Sequence, residues 1–248
     1  MRVKGGESML PFTILLPGVP VTSDRGALGW CTVAYLALEG KRILFDTGSY
    51  GDRGVLLQRM DEVGLSPEQI DIVVVSHLHF DHFVNVDLFP QATILAPRRD
   101  LEYVLSGEYL HCKDPYVPIG LVRNMEDRLT PLEDGQSIAP GLSVMALPGH
   151  TPGIMGLYYE KDKILFASDA VKNAWEFQRN EPPVTFFSKA VALENYAHIR
   201  EKARIIVPGH DRHFALGPDN SVQYLSRCRT EIHSYMDPEK DEPVRQFV

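Results

Sequence analysis

The stretch VVVSHLHFDHFVN, residues 73–85, places three histidines and one aspartate within six residues, directly after an apolar run. Such a run predicts a buried strand, and the loop after a strand is where a rigid scaffold presents functional groups. His77 and His79 are two residues apart, so in extended backbone their side chains leave the same face and can reach one cation. Asp81 and His82 follow the strand end, where the chain turns, and can reach a second cation. The stretch therefore predicts a site for two metal ions.

Three later segments repeat the arrangement of a predicted strand followed by a histidine or an aspartate: MALPGH at 145–150, LFASDA at 165–170 and IIVPGH at 205–210. The set predicts one ion held by His77, His79 and His150, a second held by Asp81, His82 and His210, and Asp169 as the bridge between them. Imidazole and carboxylate ligands suit Zn²⁺, with Fe²⁺ or Mn²⁺ as alternatives. A histidine in one of the later loops alone would more often be a surface or core residue. Buried charge at the density of the first stretch is unfavourable without a cation.

A structural zinc site is the competing interpretation of these residues. Structural sites favour cysteine and closed four-ligand shells. The three cysteines, Cys31, Cys112 and Cys228, form no C-x-x-C pair, and we expect none of them near a proposed ligand. Open coordination positions, which hold water and support catalysis, are therefore expected. The odd number of unpaired cysteines also predicts reduced thiols and a cytoplasmic location.

Composition limits the classes of partner. The chain has 248 residues, 44% hydrophobic and 23% charged, with a formal net charge of −8. A negative total gives no electrostatic reason to expect nucleic acid or an anionic membrane. No run approaches the ~18 apolar residues of a membrane span. We expect a small-molecule substrate, with a homodimer as one possible assembly.

The predicted strands come in hairpins, with helices between them. Helices are predicted at 55–64, where Leu56, Met60 and Val63 share one face, at 190–203 and at 220–236. This order predicts an α/β fold of two mixed sheets packed face to face with helices outside, a four-layer sandwich. One domain is expected over residues 1–248, with a frayed polar tail at about 237–248.

The histidine and aspartate motifs resemble those of the metallo-β-lactamase fold superfamily. HLHFDH, PGHTPG at 148–153, the aspartate of SDA and VPGH at 207–210 occur in the order of its dinuclear ligand pattern. The resemblance runs from about Pro11 to Phe214 and implies an αβ/βα sandwich with the metals at one edge. It also implies that Asp46, in FDTG, orients a histidine ligand. His213 is expected to give similar support.

Within the superfamily, the chain resembles the compact N-acyl-homoserine lactonase branch. β-Lactamases usually have Cys or Ser in place of Asp169, and flavodiiron proteins have Glu in place of His79 and a flavin domain. The segment after His210 is too short for the recognition domain of glyoxalase II. The chain departs from the lactonases at Val84, where they commonly have Gly, and at Lys172, where they carry a tyrosine that polarises the substrate carbonyl. A lysine could act there as a cationic clamp or be an ordinary solvated residue.

Two segments without a family signature are expected to complete the pocket. The first, Leu105–Val122, would contribute Tyr109 and Tyr116. The second, Ala174–Phe187, is predicted as a loop. Its aromatic residues would line an apolar pocket or belong to the core: Trp175, Phe177, Phe186 and Phe187.

These observations predict a dinuclear metallohydrolase whose metal-bound hydroxide attacks a lactone or ester carbonyl. Asp81 and Lys172 are the expected catalytic side chains, the first as a proton carrier and the second as an electrophile. The alternatives are a phosphodiesterase or nuclease, a thioester hydrolase of the glyoxalase II type, a mononuclear iron persulfide dioxygenase and a metal-stabilised binding protein.

Overall fold

The computed structural model describes residues 10–182, 184–227, 230–234 and 242–247. The strands of these ranges are β1 (Phe12–Leu16), β2 (Thr22–Ser23), β3 (Gly26–Ala27), β4 (Val33–Leu38), β5 (Lys41–Phe45), β6 (Ile72–Val74), β7 (Thr93–Pro97), β8 (Leu129–Leu132), β9 (Ser137–Ala139), β10 (Leu142–Ala146), β11 (Met155–Tyr159), β12 (Ile164–Ser168), β13 (Ile205–Pro208), β14 (Phe214–Leu216), β15 (Val222–Tyr224), β16 (Glu231–Ser234) and β17 (Val244–Phe247). The helices are α1 (Arg53–Glu62), α2 (Phe80–Phe83), α3 (Arg98–Leu105), α4 (Glu108–His111), α5 (Ile119–Met125), α6 (Ala174–Arg179) and α7 (Lys189–Lys202).

Two mixed sheets form the centre of the structure. The first has the strand order β1-β4-β5-β6-β7-β8, and the second has the order β15-β14-β13-β12-β11-β10-β9. Strands β5 to β8 run parallel in the first sheet. In the second sheet β12 and β13 are parallel and the other pairs are antiparallel. The hairpins β2–β3 and β16–β17 pair separately.

Three apolar layers separate the sheets and helices. Successive residues of a strand point to opposite faces, so Val73 packs in the layer that contains Leu56 of α1, whereas Val74 packs between the sheets. In the second sheet, Phe166 shares that middle layer, and Leu165 packs in the layer under α7. Three apolar layers between two sheets and two sets of helices confirm the predicted four-layer αβ/βα sandwich.

The predicted helices at 55–64 and 190–203 correspond to α1 and α7. Leu56 and Met60 are fully buried, but Val63 is 47% exposed because α1 ends at Glu62, before the expected face is complete. None of the helices in the part of the chain that the structure describes is long and apolar enough to cross a membrane.

The helix predicted at 220–236 is wrong. The described residues of this range form β15 and β16 instead. Gly217 donates a backbone hydrogen bond of 2.8 Å to Ser221, which closes a turn and returns the chain antiparallel to β14. The alternating residues of β15 suit this edge strand better than a helix face. Within the predicted polar tail, β17 pairs with β16, so these residues are not a frayed end.

The parallel strand pairs place the predicted ligands together. Asp46 directly follows β5, and the histidine-rich stretch follows β6, its parallel neighbour. In the other sheet, Asp169 follows β12 and His210 follows β13 after one glycine. Parallel neighbours end at the same edge of a sheet, so these loops meet at one edge of the sandwich.

Candidate metal centre

The side chains predicted as metal ligands converge at this edge, and none is more than 6% exposed: His77, His79, Asp81, His82, His150, Asp169 and His210. Ring nitrogens of His77, His79 and His150 lie within 4.8 Å of one another. The same limit holds for the ligand atoms of Asp81, His82 and His210. Two groups of three potential ligands thus lie side by side.

Asp169 lies between the two groups. Its Oδ1 is 3.2 Å from Nε2 of His210 and 3.5 Å from Nε2 of His82. Its Oδ2 is 3.6 Å from Nε2 of His150. One carboxylate oxygen therefore faces each group, as a bridging ligand requires.

The local backbone explains why the first stretch supplies both groups. His79 is the N-cap of the short helix α2, and Asp81 and His82 lie in the following turn. The extended residues before α2 place His77 and His79 in the group with His150. The turn of α2 places Asp81 and His82 in the group with His210.

Hydrogen bonds on the outer side of the rings fix which nitrogens face the centre. His150 donates from Nδ1 to the carbonyl of Val184 at 2.6 Å, and His79 Nε2 lies 2.8 Å from a carboxylate oxygen of Asp114. These partners leave lone pairs on His79 Nδ1 and His150 Nε2, which lie only 3.1 Å apart. Two facing lone pairs repel each other unless they share a cation.

Four atoms at the centre are buried and have no hydrogen-bond partner among the described residues: Nε2 of His77, His82 and His210, and Oδ1 of Asp169. Buried polar atoms are nearly always satisfied, so such a cluster requires an explanation. Imidazole nitrogens and a carboxylate oxygen are ligands for Zn²⁺ and related cations. The residues present therefore fit divalent metal ions, which would satisfy all four atoms.

Asp46 lies beneath the second group and supports His82. Its Oδ2 is 2.8 Å from His82 Nδ1, and it accepts hydrogen bonds from the hydroxyls of Ser76 at 2.9 Å and Ser168 at 3.0 Å. Asp46 and Ser168 both have a positive φ, of +59° and +47°. Such conformations are unfavourable for non-glycine residues and occur preferentially at functional sites. The contacts orient His82 with its Nε2 toward the centre.

Gly209 allows the loop of His210 to approach Asp169. A Cβ at this position would collide with the Asp169 carboxylate and lie 2.9 Å from the Asp169 backbone nitrogen. The glycine of the VPGH motif is therefore a requirement of packing at the centre.

Burial and charge shift the pKa values of four of these histidines in two opposite directions. Burial lowers the pKa of His77 well below its ordinary value, and burial together with His79 lowers the pKa of His150 to about 3. Burial acts in the same direction on His82 and His210, but nearby negative groups outweigh it and raise the pKa of both. A raised pKa favours the protonated form of His82 and His210, so a metal ion competes with protons at these two side chains.

Metal affinity is expected to rise with pH for this reason. Below the raised pKa values of His82 and His210, protons occupy two candidate ligand atoms, and binding must release them. Each displaced proton changes the affinity about tenfold per pH unit. Zn²⁺ competition with a chelator at pH 6, 7 and 8 measures the slope. Affinity independent of pH over this range would contradict the protonation of these two ligands.

His213 does not support the metal centre, contrary to expectation. Its ring packs edge-on against Phe12, with the centroids 5.4 Å apart. Phe214, the next residue, points into the layer under α7, so the alternation of the strand directs His213 to the opposite side.

Two of the predicted pocket aromatics belong to the core. Phe177 is 1% exposed and packs against Tyr196, because Ala174–Arg179 is a helix, α6, and not the predicted loop. Tyr109 is 9% exposed and packs against Tyr103 in the layer outside the first sheet. The prediction that Phe177 and Tyr109 line the pocket is therefore wrong.

A cavity of about 260 Å³ opens on the centre. Tyr116, Phe80 and Val184 line it together with His79 and His150. Phe186 is not among the residues that line this cavity. Its ring packs edge-on against His79, with the centroids 5.6 Å apart.

Lys172 borders this cavity and the neighbouring one of about 390 Å³. Its side chain is 16% exposed, and Nζ lies 3.7 Å from Asp169 Oδ2, so it is not a solvated surface lysine. Trp175 lines the second cavity and is 55% exposed. Phe187 is 49% exposed and lines neither cavity.

Sequence reasoning missed two residues at the centre. Asp114 contacts His79, and no pattern in its segment predicts this contact. Cys31, expected to lie away from the ligands, has its Sγ within 4.8 Å of ligand atoms of Asp46 and His82. Burial raises the pKa of Cys31 to about 12, and the thiol donates to the carbonyl of Asp81 at 2.8 Å. It lies 50 residues before Asp81, so only the fold brings the two together.

Comparison with known proteins agrees with this geometry. The model of the metallo-beta-lactamase superfamily matches residues 28–210. An N-acyl homoserine lactonase of a Bacillus species is 31% identical over 160 residues, which are 61% of this chain and 60% of the relative, so the chain spans about 60% of that lactonase. Mouse metallo-beta-lactamase domain-containing protein 1 is 36% identical over 144 residues, 56% of this chain and 48% of the relative.

The fold is also that of a solved lactonase structure. The crystal structure of a Bacillus thuringiensis AiiA mutant with N-decanoyl-L-homoserine bound at its active site superimposes with a TM-score of 0.57 at 24% identity. The match covers 73% of this chain and 80% of that one. Fold, metal-binding geometry and family match agree, and the chain belongs to the metallo-β-lactamase superfamily.

Proposed function

We propose that this protein is a dinuclear metal-dependent hydrolase that acts on a lactone or ester. The observation that carries the proposal is the cluster of four buried ligand atoms that find no hydrogen-bond partner among the described residues, on His77, His82, His210 and Asp169. Their division into two groups that share Asp169 supports two ions, and Zn²⁺ is the first candidate. When bound, such ions lower the pKa of coordinated water enough to provide a nucleophile at neutral pH.

The side chains around the cavity have distinct roles in this proposal. Asp169 would hold the two ions at a fixed spacing. Asp81 lines the cavity with its Oδ2 3.3 Å from His210 Nε2, so its carboxylate is placed to carry a proton to the leaving oxygen. Lys172 would place its ammonium beside the developing negative charge of the carbonyl oxygen. Phe80 and Tyr116 would exclude water from the reacting group.

The charge of the cavity favours a neutral carbonyl substrate over a phosphodiester. Among the described residues that line it, Lys172 is the one lysine or arginine. Recognition of a nucleic-acid backbone normally uses several such side chains. The lactonase names of the relatives support the same choice. The cytoplasmic location, the single domain and the homodimer stay predictions.

The purified protein is expected to contain two transition-metal ions per chain. Elemental analysis after gentle purification measures the ratio of metal to protein. Removal of the metal with a chelator should abolish hydrolysis, and addition of Zn²⁺, Mn²⁺ or Fe²⁺ should restore it. A panel of lactones, thioesters and bis-p-nitrophenyl phosphate identifies the substrate class. A constant value of one ion, with no gain in activity on metal addition, contradicts the dinuclear assignment. Turnover of the phosphodiester alone contradicts the substrate class.

A further inference from the structure

Asp114 contacts His79 on the side of the ring that faces away from the proposed ions. The Asp114 side chain is fully buried, and its Oδ2 lies 2.8 Å from His79 Nε2. A carboxylate at this position accepts a hydrogen bond from the Nε2–H group and leaves Nδ1 as the only ring atom that can bind a cation. Rotation of the ring would take away the histidine partner of this buried carboxylate and leave it only the neutral donors around it, which is unfavourable.

The same carboxylate also holds the wall of the cavity. Its Oδ1 accepts a hydrogen bond from the backbone of Tyr116 at 3.0 Å, and its Oδ2 accepts one from the hydroxyl of Tyr103 at 3.1 Å. The carbonyl of Tyr116 in turn accepts from the backbone of Phe80 at 2.9 Å. The Tyr116 ring lies 5.6 Å from that of His79 and lines the cavity. One buried side chain thus contacts both a candidate metal ligand and the substrate wall.

Asp100 offers a matched comparison. It is also a buried carboxylate, 1% exposed, and lies near the same loops. It accepts hydrogen bonds from the backbone nitrogens of Leu78 at 3.1 Å and Gly153 at 2.8 Å. Its described hydrogen bonds therefore hold loops in place, and none of them goes to a histidine ring.

We propose that Asp114 is a positioning residue for His79, which fixes Nδ1 as the metal-facing atom and couples this ligand to the pocket wall at Tyr116. The inference rests on the proposed function and concerns the ion of His77, His79 and His150. Loss of such a supporting partner typically weakens metal binding 10–100-fold.

The test compares Asp114→Asn with Asp100→Asn in the full chain. Chelator competition with Zn²⁺ should show a roughly 10–100-fold loss for one of the two equivalents in Asp114→Asn and a clearly smaller loss in Asp100→Asn, whose hydrogen bonds reach the backbone beside the ligands but no histidine ring. The visible absorption of the Co²⁺-substituted protein should change only in Asp114→Asn. Thermal melting of both metal-free variants measures the structural contribution of each carboxylate.

Two results would overturn the proposal. One is an unchanged affinity and Co²⁺ spectrum in Asp114→Asn, and the other is an equal loss of metal in both variants. If Asp114→Asn does not fold, Tyr103→Phe removes one donor to Asp114 without touching His79, and an unchanged Co²⁺ spectrum then counts against the proposal. Wild-type protein that binds no metal contradicts the proposed function. Wild-type binding of two ions with an unaffected Asp114→Asn contradicts this inference alone.

Discussion

Asp169→Asn is expected to cause a large loss of both activity and metal. Asp169 has one oxygen toward each group of histidines, and an amide offers only one good ligand atom in place of two. Burial would raise the pKa of Asp169, but His210 and Lys172 lower it well below its ordinary value, so the native group is a full carboxylate. The loss in kcat/KM should exceed the roughly 10–100-fold caused by removal of a supporting residue. Metal content should fall from two ions toward one.

His213→Ala is the matched control for this substitution. It removes a side chain three residues beyond His210 that packs on Phe12, away from the centre. We expect near wild-type kcat/KM and an unchanged metal content. Steady-state kinetics and elemental analysis on both variants give the comparison. Equal losses of activity, with two ions retained in both proteins, would mean that Asp169 does not bridge the ions.

The position of the candidate ligands was predictable because each follows an apolar run. A buried strand is the part of a sequence that periodicity identifies best, and the residue after it is placed by the sheet. Asp169 and His210 are close because β12 and β13 run parallel. The sequence also contains a signal for the start of helix α6, an N-cap residue. Asn173 accepts a hydrogen bond from the backbone of Glu176 at 2.9 Å, which is an N-cap, and Ala174 and Phe177 then share the buried face.

Asp114 and Cys31, unlike Asp46, could not be predicted from the sequence. Asp114 reaches His79 across 35 residues, from a segment whose short helices have no sustained period. Cys31 lies just before β4, and its thiol donates to the carbonyl of Asp81 in α2, but a cysteine in a sequence suggests only burial. His213 is close to His210 in sequence but not to the centre in space, because its ring packs against Phe12. Contacts of this kind depend on tertiary packing, and a single sequence carries no local pattern for them.

Lys172→Ala is expected to lower kcat by roughly 10²–10³-fold, the usual effect of removing one donor to a developing oxyanion. Burial lowers the pKa of Lys172, but the carboxylates of Asp169 and Asp81 raise it above its ordinary value, so the ammonium stays charged at neutral pH. Its Nζ lies 3.7 Å from Asp169 Oδ2 and at the boundary of both cavities. This position allows it to stabilise a substrate oxygen beside the ions.

Because Lys172 is not an exposed lysine, the test needs a variant that removes its charge and keeps its apolar stem. Because the side chain is mostly buried and contacts Asp169, Lys172→Met keeps the apolar stem and removes only the charge, and metal content must be measured in each variant. Lys172→Arg should not restore full activity, since a planar guanidinium replaces a compact ammonium. Lys161→Ala, at an exposed turn, is the control for loss of a lysine. If Lys172→Met keeps both ions and wild-type kcat on the best substrate, Lys172 only neutralises Asp169. The metal ions alone would then polarise the carbonyl, and the similarity to lactonases would lose its local support at this position.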